Sequence, residues 1–219
     1  MNKVAIQGIK GSYHHQVALE YFETEIELAE FLSFNEVANS VAKNKCEFGV
    51  MAIENSIAGS IIPNYALIDN LNLKIVGEYY ININHQLMAI PGSKIQDLDI
   101  VASHPMALLQ CKKFFKNYPK ISLIEDKDTA HVAYKIKRDN IKKMGAVASI
   151  QASKMYGLEI LKENIQTIKN NETRFVIISK RDFEDISTNN KASLKFSLSH
   201  KTGSLAIILN ILNEYKLNL

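Results

Sequence analysis

Short apolar runs alternate along this chain with longer stretches whose apolar residues recur at three- and four-residue spacing, the pattern of an α/β protein. Residues 3–7 read as a strand, 8–11 as a turn, and Ser12 as the start of a helix through Phe22. A second strand is predicted over 26–31. Ser33 with Glu36 three residues on forms a capping box, which predicts a helix over 34–44. Residues 48–53 are continuously apolar, as a central strand requires, and run into the polar Glu54, Asn55 and Ser56.

After a helix near 60–69, two adjacent extended runs, 74–81 and 83–90, link one lobe to the next. A second α/β set follows: strand 100–102, helix 105–117, strand 121–124, helix 129–138, strand 146–149 and a helix ending near Tyr156. A final strand is predicted over 173–180. Residues 181–191 (RDFEDISTNNK) are polar and Asn-rich and read as a linker. Beyond it, 192–199 alternates like a strand and 204–215 has helical period. One strand and one helix cannot bury a core, so this tail is expected to belong to a larger unit or to pack on a partner.

Composition excludes more than it selects. A hydrophobic fraction of 47% and a charged fraction of 22% are those of an ordinary soluble globular protein. The net charge of +3 comes from lysines scattered among acids, with no basic stripe, so no nucleic-acid partner is expected. No apolar stretch approaches the roughly 20 residues that span a bilayer, and no membrane partner is expected. Cys46 and Cys111 stand far apart and outside any CxxC pattern, as buried thiols of a cytosolic protein would. The six histidines lack HxH or HxxxH spacing, so no metal site is expected. The opening MNKVAIQ turns polar too early for a signal peptide, which makes the expected location cytoplasmic.

Four polar clusters carry the candidate chemistry: Gly8, Gly11, Ser12 and Tyr13; Glu54, Asn55 and Ser56; Ser103, His104 and Gln110; and Asn171, Thr173, Arg174 and Phe175. The first three follow predicted strands, the edge where open α/β sheets bind ligands, while Thr173 begins one. Each has a plainer reading beside the functional one. The glycines suit an anion-binding helix start or an ordinary βα turn. Glu54 to Ser56, and His104 before Pro105, can be helix caps, and Phe175 can be cleft wall or core. Arg174 stands out because it is one of only three arginines among 26 basic residues. Its planar fork fits a carboxylate, whereas lysine offers a point charge.

These segments, GxxGSYxHxxA at 8–18, ENSxxGS at 54–60, SHPxALxQC at 103–111 and NxTRF at 171–175, resemble the prephenate dehydratase family in order and spacing. The resemblance covers about residues 1–180 and departs from the family's usual residues at Met106 and His14. It implies decarboxylating dehydration of prephenate to phenylpyruvate in phenylalanine biosynthesis, without cofactor or metal, in the cleft of a two-lobed, periplasmic-binding-protein-like α/β fold. One lobe would comprise about 1–76 and 170–180, the other 77–169.

It also implies roles. Thr173 would donate to the departing hydroxyl, with Asn55, Ser103, Gln110 and Glu54 as the catalytic polar cage. Arg174 would hold one substrate carboxylate and Ser12 and Tyr13 the other, with Ser56, His104 and Phe175 lining the site. Residues 192–219 resemble the start of an ACT regulatory module, an α+β unit, with Gly203, Ser204 and Leu205 in its effector turn. L-Phenylalanine would be the effector if that module is complete, and a homodimer or higher homo-oligomer is implied. Arogenate as substrate, and a non-catalytic two-lobed receptor, stay open as alternatives.

Overall fold

The computed structural model describes residues 1–181 and 191–218. It divides into two compact units, Met1–Phe183 and Glu184–Leu219.

The first unit is built on two sheets. Its opening elements are β1 (Asn2–Gln7), α1 (Tyr13–Phe22), β2 (Ile26–Phe31), α2 (Phe34–Ala42) and β3 (Phe48–Asn55). Next come β4 (Gly59–Ser60), α3 (Ile62–Asn70) and β5 (Lys74–Asn82). The chain then crosses at residues 83–85 and builds β6 (Gln86–Ala89), β7 (Ile100–Ser103), α4 (Pro105–Phe115) and β8 (Ser122–Glu125). The second sheet is completed by α5 (Thr129–Asp139), β9 (Met144–Ala148), α6 (Ile150–Tyr156) and β10 (Glu159–Lys162). Finally β11 (Glu172–Ser179) returns to the first sheet.

The strand orders are β2-β1-β3-β11-β5, with β4 beside β3, and β10-β6-β9-β7-β8. In the first sheet β1 pairs in parallel with β2 and β3, while β11 runs antiparallel between β3 and β5. Each sheet is covered on both faces. Val17 and Ala18 of α1 pack with Ile6, Phe175 and Ile177 on one side of the first sheet. Val37 and Val41 of α2, with Ile68 of α3, pack with Met51, Val176 and Ile178 on the other. In the second sheet Leu108 and Cys111 of α4 face one core, and Val132 and Ile136 of α5 the other. The interior position read from the apolar run at 48–53 is realised: β3 is buried from Phe48 to Ile53.

The lobes divide later than the sequence reading placed them. The whole of β5 ladders with β11, from Lys74 opposite Ser179 to Asn82 opposite Glu172. The first crossing is therefore at 83–85, not at 76–77. The short edge strand β10, half exposed and without clear alternation, was not anticipated.

In the second unit the predicted helix is present as α7 (Ser204–Glu214), with Gly203 at φ 85° as its N-cap. The strand expected over 192–199 does not form. A strand is held by bonds to a neighbour, and among the described residues no ladder reaches this exposed segment. The linker expected over 181–191 falls largely outside the described residues. Among the described residues no helix is long and apolar enough to cross a membrane.

Candidate active site

The GxxG turn after β1 positions the N-terminus of α1. Both glycines adopt φ +90°, a conformation costly for residues with a Cβ. Both also press on the second lobe: a Cβ on Gly8 would meet Asp128 Oδ2 at 2.9 Å, and one on Gly11 would meet Ala152 Cα at 3.0 Å. The turn is thus an inter-lobe contact, fixed further by Ser149 Oγ donating to Gly11 O (2.7 Å) and by Tyr156 O–H donating to Lys10 O. Its own amides are largely committed. Gly11 N–H donates to His15 Nδ1 (3.0 Å), Ser12 N–H to Ile9 O (3.0 Å), and His15 N–H to the capping Ser12 Oγ (3.2 Å). The next two amides, of Tyr13 and His14, are the first of the helix, which helical geometry leaves without an internal acceptor.

The second group lies where β3 ends beside the start of β11. Thr173 opposes Asn55 and Arg174 opposes Glu54, and directly opposed residues point to the same face. A bulge follows, because Phe175 opposes Ala52 and leaves Ile53 extra. Asn55 Oδ1 accepts from the N–H groups of Ile57 (3.0 Å) and Ala58 (2.9 Å). Two backbone donors cannot be satisfied by an amide nitrogen, so the orientation of this side chain is fixed. Its NH2 then donates to Thr173 Oγ1 (2.8 Å) and Asn171 Oδ1 (2.6 Å). Thr173 is buried and has its oxygen occupied as an acceptor by Asn55, so its hydroxyl proton is free to point elsewhere.

The network continues across the crossing segments into the second lobe. Asn171 Nδ2 donates to Gln110 Oε1 (3.0 Å), and His85 Nε2 lies 2.8 Å from the same oxygen. His85 Nδ1 is 3.0 Å from the Tyr13 hydroxyl, which is also 2.9 Å from Asn84 O. Backbone bonds clamp the first crossing to the second, residues 163–171, through Ile83 N–H to Asn171 O (2.7 Å) and Ile165 N–H to His85 O (2.9 Å), and Thr167 N–H to Gln110 O (2.9 Å) ties the second to α4. Burial lowers the His85 pKa, opposed in part by the bond to Gln110, and raises that of Tyr13 well above its ordinary value. Burial also pushes the neighbouring Cys111 up to about 12, so it is a neutral thiol near neutral pH.

The structure therefore joins Thr173, Asn55, Gln110 and Tyr13 into one network and leaves other sequence candidates apart from it. Arg174 projects to the opposite face of β11. There its Nε donates to Glu78 Oε2 (2.9 Å), its Nη1 lies 3.8 Å from Glu54 Oε2, and the Tyr80 ring stands 6.0 Å away. Glu54 belongs to that face as well. Phe175 is buried in the core of the first lobe, edge-on to His14 at 5.0 Å. Ser56, just after β3, ties it to the start of β11, its Oγ accepting from Glu172 N–H (3.0 Å). Ser103 is fully buried and donates to Val147 O (2.5 Å), and His104 caps α4 through Met106 N–H (3.2 Å).

Sequence reasoning missed His85 and did not select Asn171 from its motif. The available signal was the polar run Asn82, Asn84, His85 and Gln86 at the junction of two extended apolar segments. A groove of about 200 Å³ flanks Tyr13, lined by Asn84, Gln86, Ile150, Glu163 and Asn164. Its only charged lining residue is an acid, so it is a poor host for an anion.

Two αβα lobes joined by paired crossings, with directed neutral donors at the junction, define a two-lobed α/β protein. Residues 4–183 match the family model described as prephenate dehydratase, and the chain belongs to that family. It is 39% identical over 216 residues to a bifunctional chorismate mutase/prephenate dehydratase of Buchnera aphidicola subsp. Schizaphis graminum, covering 96% of this chain and 56% of that one. It is 36% identical over 218 residues to arogenate dehydratase/prephenate dehydratase 1, chloroplastic, of Arabidopsis thaliana, covering 99% and 55%. The chain thus spans little more than half the length of these relatives. The fold is that of the prephenate dehydratase solved with L-Phe from Arthrobacter aurescens, with a TM-score of 0.79 at 19% identity over 97% of this chain and 72% of that one.

Proposed function

We propose that this chain converts prephenate to phenylpyruvate, carbon dioxide and water, as a step of phenylalanine biosynthesis in the cytoplasm. The observation that carries the reading is the donor state of Thr173: Asn55, locked by two backbone amides, occupies its oxygen and leaves its O–H as the outgoing bond. In the reaction the ring carboxylate leaves as carbon dioxide, its bonding electrons enter the ring, and the ring C–O bond breaks with departure of hydroxide. Thr173 is too weak an acid to give up a free proton. Its role is to stabilise the developing hydroxide, which is then protonated to water.

The amides of Tyr13 and His14 at the positive end of α1, with Ser12 beside them, supply an anion site for one carboxylate. Arg174, read from the sequence as the holder of the other carboxylate, leaves β11 on the face opposite Thr173 and is not assigned to the substrate held there. There Glu78 holds its Nε (2.9 Å) and Glu54 stands 3.8 Å from its Nη1, which makes Arg174 an ion-pair residue of the first lobe. Ser103, His104 and Ser56 are proposed as supports: Ser103 holds β7 to β9 through Val147 O, His104 caps α4, and Ser56 ties the end of β3 to the start of β11. Phe175 acts by packing His14.

The relative from Arabidopsis carries both arogenate and prephenate in its name, which favours testing both substrates. Purified protein incubated with each in turn, with aromatic product followed, should form phenylpyruvate from prephenate. Product from arogenate alone would reassign the substrate. Product from neither would leave a two-lobed binding protein. The second unit is proposed as the start of an ACT-like module in which Gly203, Ser204 and Leu205 approach L-phenylalanine, and titration of the turnover assay with L-phenylalanine tests this.

A further inference from the structure

The hydrogen-bond directions at the lobe junction can be followed from one fixed end. Asn55 is fixed by Ile57 and Ala58, so its NH2 faces Asn171 Oδ1. Asn171 must then present its NH2 to Gln110, and the Gln110 atom it meets must be the oxygen. His85 Nε2 meets that same oxygen at 2.8 Å, so it too must carry a proton. The neutral imidazole is therefore the Nε2–H tautomer, with Nδ1 left as an acceptor facing the Tyr13 hydroxyl, whose single proton it shares with Asn84 O (2.9 Å). The opposite tautomer would set two lone pairs against each other at 2.8 Å. Two donors now converge on Gln110 Oε1. Turning the Gln110 amide over would place its NH2 against both of them, so His85 and Asn171 together hold the Gln110 NH2 facing away from themselves.

We propose that His85 is a positioning residue for the dehydration: by donating to Gln110 Oε1 it keeps the Gln110 NH2 as the face offered to the anionic substrate. The inference rests on the proposed dehydratase reading. A Gln110 free to turn would present its carbonyl oxygen to a dianion part of the time and weaken catalysis. The groups that face His85 are Tyr13 of α1, Gln110 of α4, and Asn84 and Gln166 of the two crossings. None of them carries a charge at neutral pH.

Three substitutions separate positioning from space-filling. Gln at position 85 can place an amide NH2 near the Nε2 site, Asn reaches only the Nδ1 site, and Phe fills the volume with no donor. We expect kcat/KM to fall about 10- to 100-fold in His85→Phe and His85→Asn, and His85→Gln to recover to within about threefold of the parent. All three should keep similar melting temperatures. Equal activities for the Gln, Asn and Phe variants, with the parent active, would overturn the role of His85 and leave the dehydratase reading intact. A parent inactive on both prephenate and arogenate would instead remove the reading itself. In that case the tautomer still decides: nitrogen-15 NMR at pH 7 should show His85 protonated at Nε2 alone, and an Nδ1–H imidazole would refute the assignment.

Discussion

Thr173 shows how a weak group is made useful by its neighbours. A lone threonine hydroxyl rotates and trades partners, but here Ile57 and Ala58 fix Asn55 and Asn55 fixes the oxygen of Thr173. Thr173→Ala should therefore cut kcat by about 10²–10³-fold, the usual consequence of losing a directed donor, with the circular dichroism spectrum unchanged. Retention of more than a third of the parent kcat would end its assignment. Arg174→Lys keeps a charge near Glu54 and Glu78 but loses the fork. It should lower the melting temperature while leaving kcat and KM within about threefold. A KM raised about tenfold or more at an unchanged melting temperature would return Arg174 to the substrate.

His14 carries a pH signature of its own. Its ring is packed between Phe34 and Phe175, Nε2 is buried without a hydrogen-bond partner, and burial lowers its pKa from 6.5 to about 4. Between those values the unfolded chain binds a proton that the folded chain does not. Stability therefore falls as pH drops through that window, by about 2 kcal/mol at pH 5 from this residue. His14→Ser should flatten the loss of stability between pH 7 and pH 5, read from urea midpoints. An unchanged pH slope would show that the imidazole is solvated.

At the scale of elements, the turn between β1 and α1 joins the lobes as much as it starts a helix. Gly11→Ala would force a Cβ to 3.0 Å from Ala152 Cα at φ +90°. It should cost about 1–3 kcal/mol of stability, measured by denaturant unfolding. An unaltered midpoint would mean that the lobes do not bear on each other there. The sequence made these elements legible because each carries a local cause: Ser12 and Ser33 at helix starts, and the apolar period-two and period-3.6 runs. What it concealed depends on partners distant in the chain. The register that brings Thr173 beside Asn55 spans 118 residues. The facing of Arg174 away from Thr173 follows from strand alternation, but its pairing with Glu78 required knowing that β5 lies next to β11. His85 was hidden for the same reason, since its meaning lies in Gln110, 25 residues away on α4.

For the whole molecule, the contrast between the two units is instructive. The first is closed, with apolar cores on both faces of both sheets. In the second, α7 is apolar around most of its circumference, yet Leu205, Ile207, Leu209 and Ile211 are all exposed, as are Leu194, Phe196 and Leu198 before it. A helix apolar all round is stable in water only when it is covered. We propose that the same surface of a second copy covers it, an arrangement that closes as a two-fold pair. Light scattering coupled to gel filtration should then give twice the monomer mass for this chain. Ile207→Asp combined with Ile211→Asp should return the monomer mass while leaving the proposed dehydratase activity within about threefold. A parent that is monomeric at micromolar concentration would refute self-association through α7. A double variant that stays dimeric would place the contact on another surface.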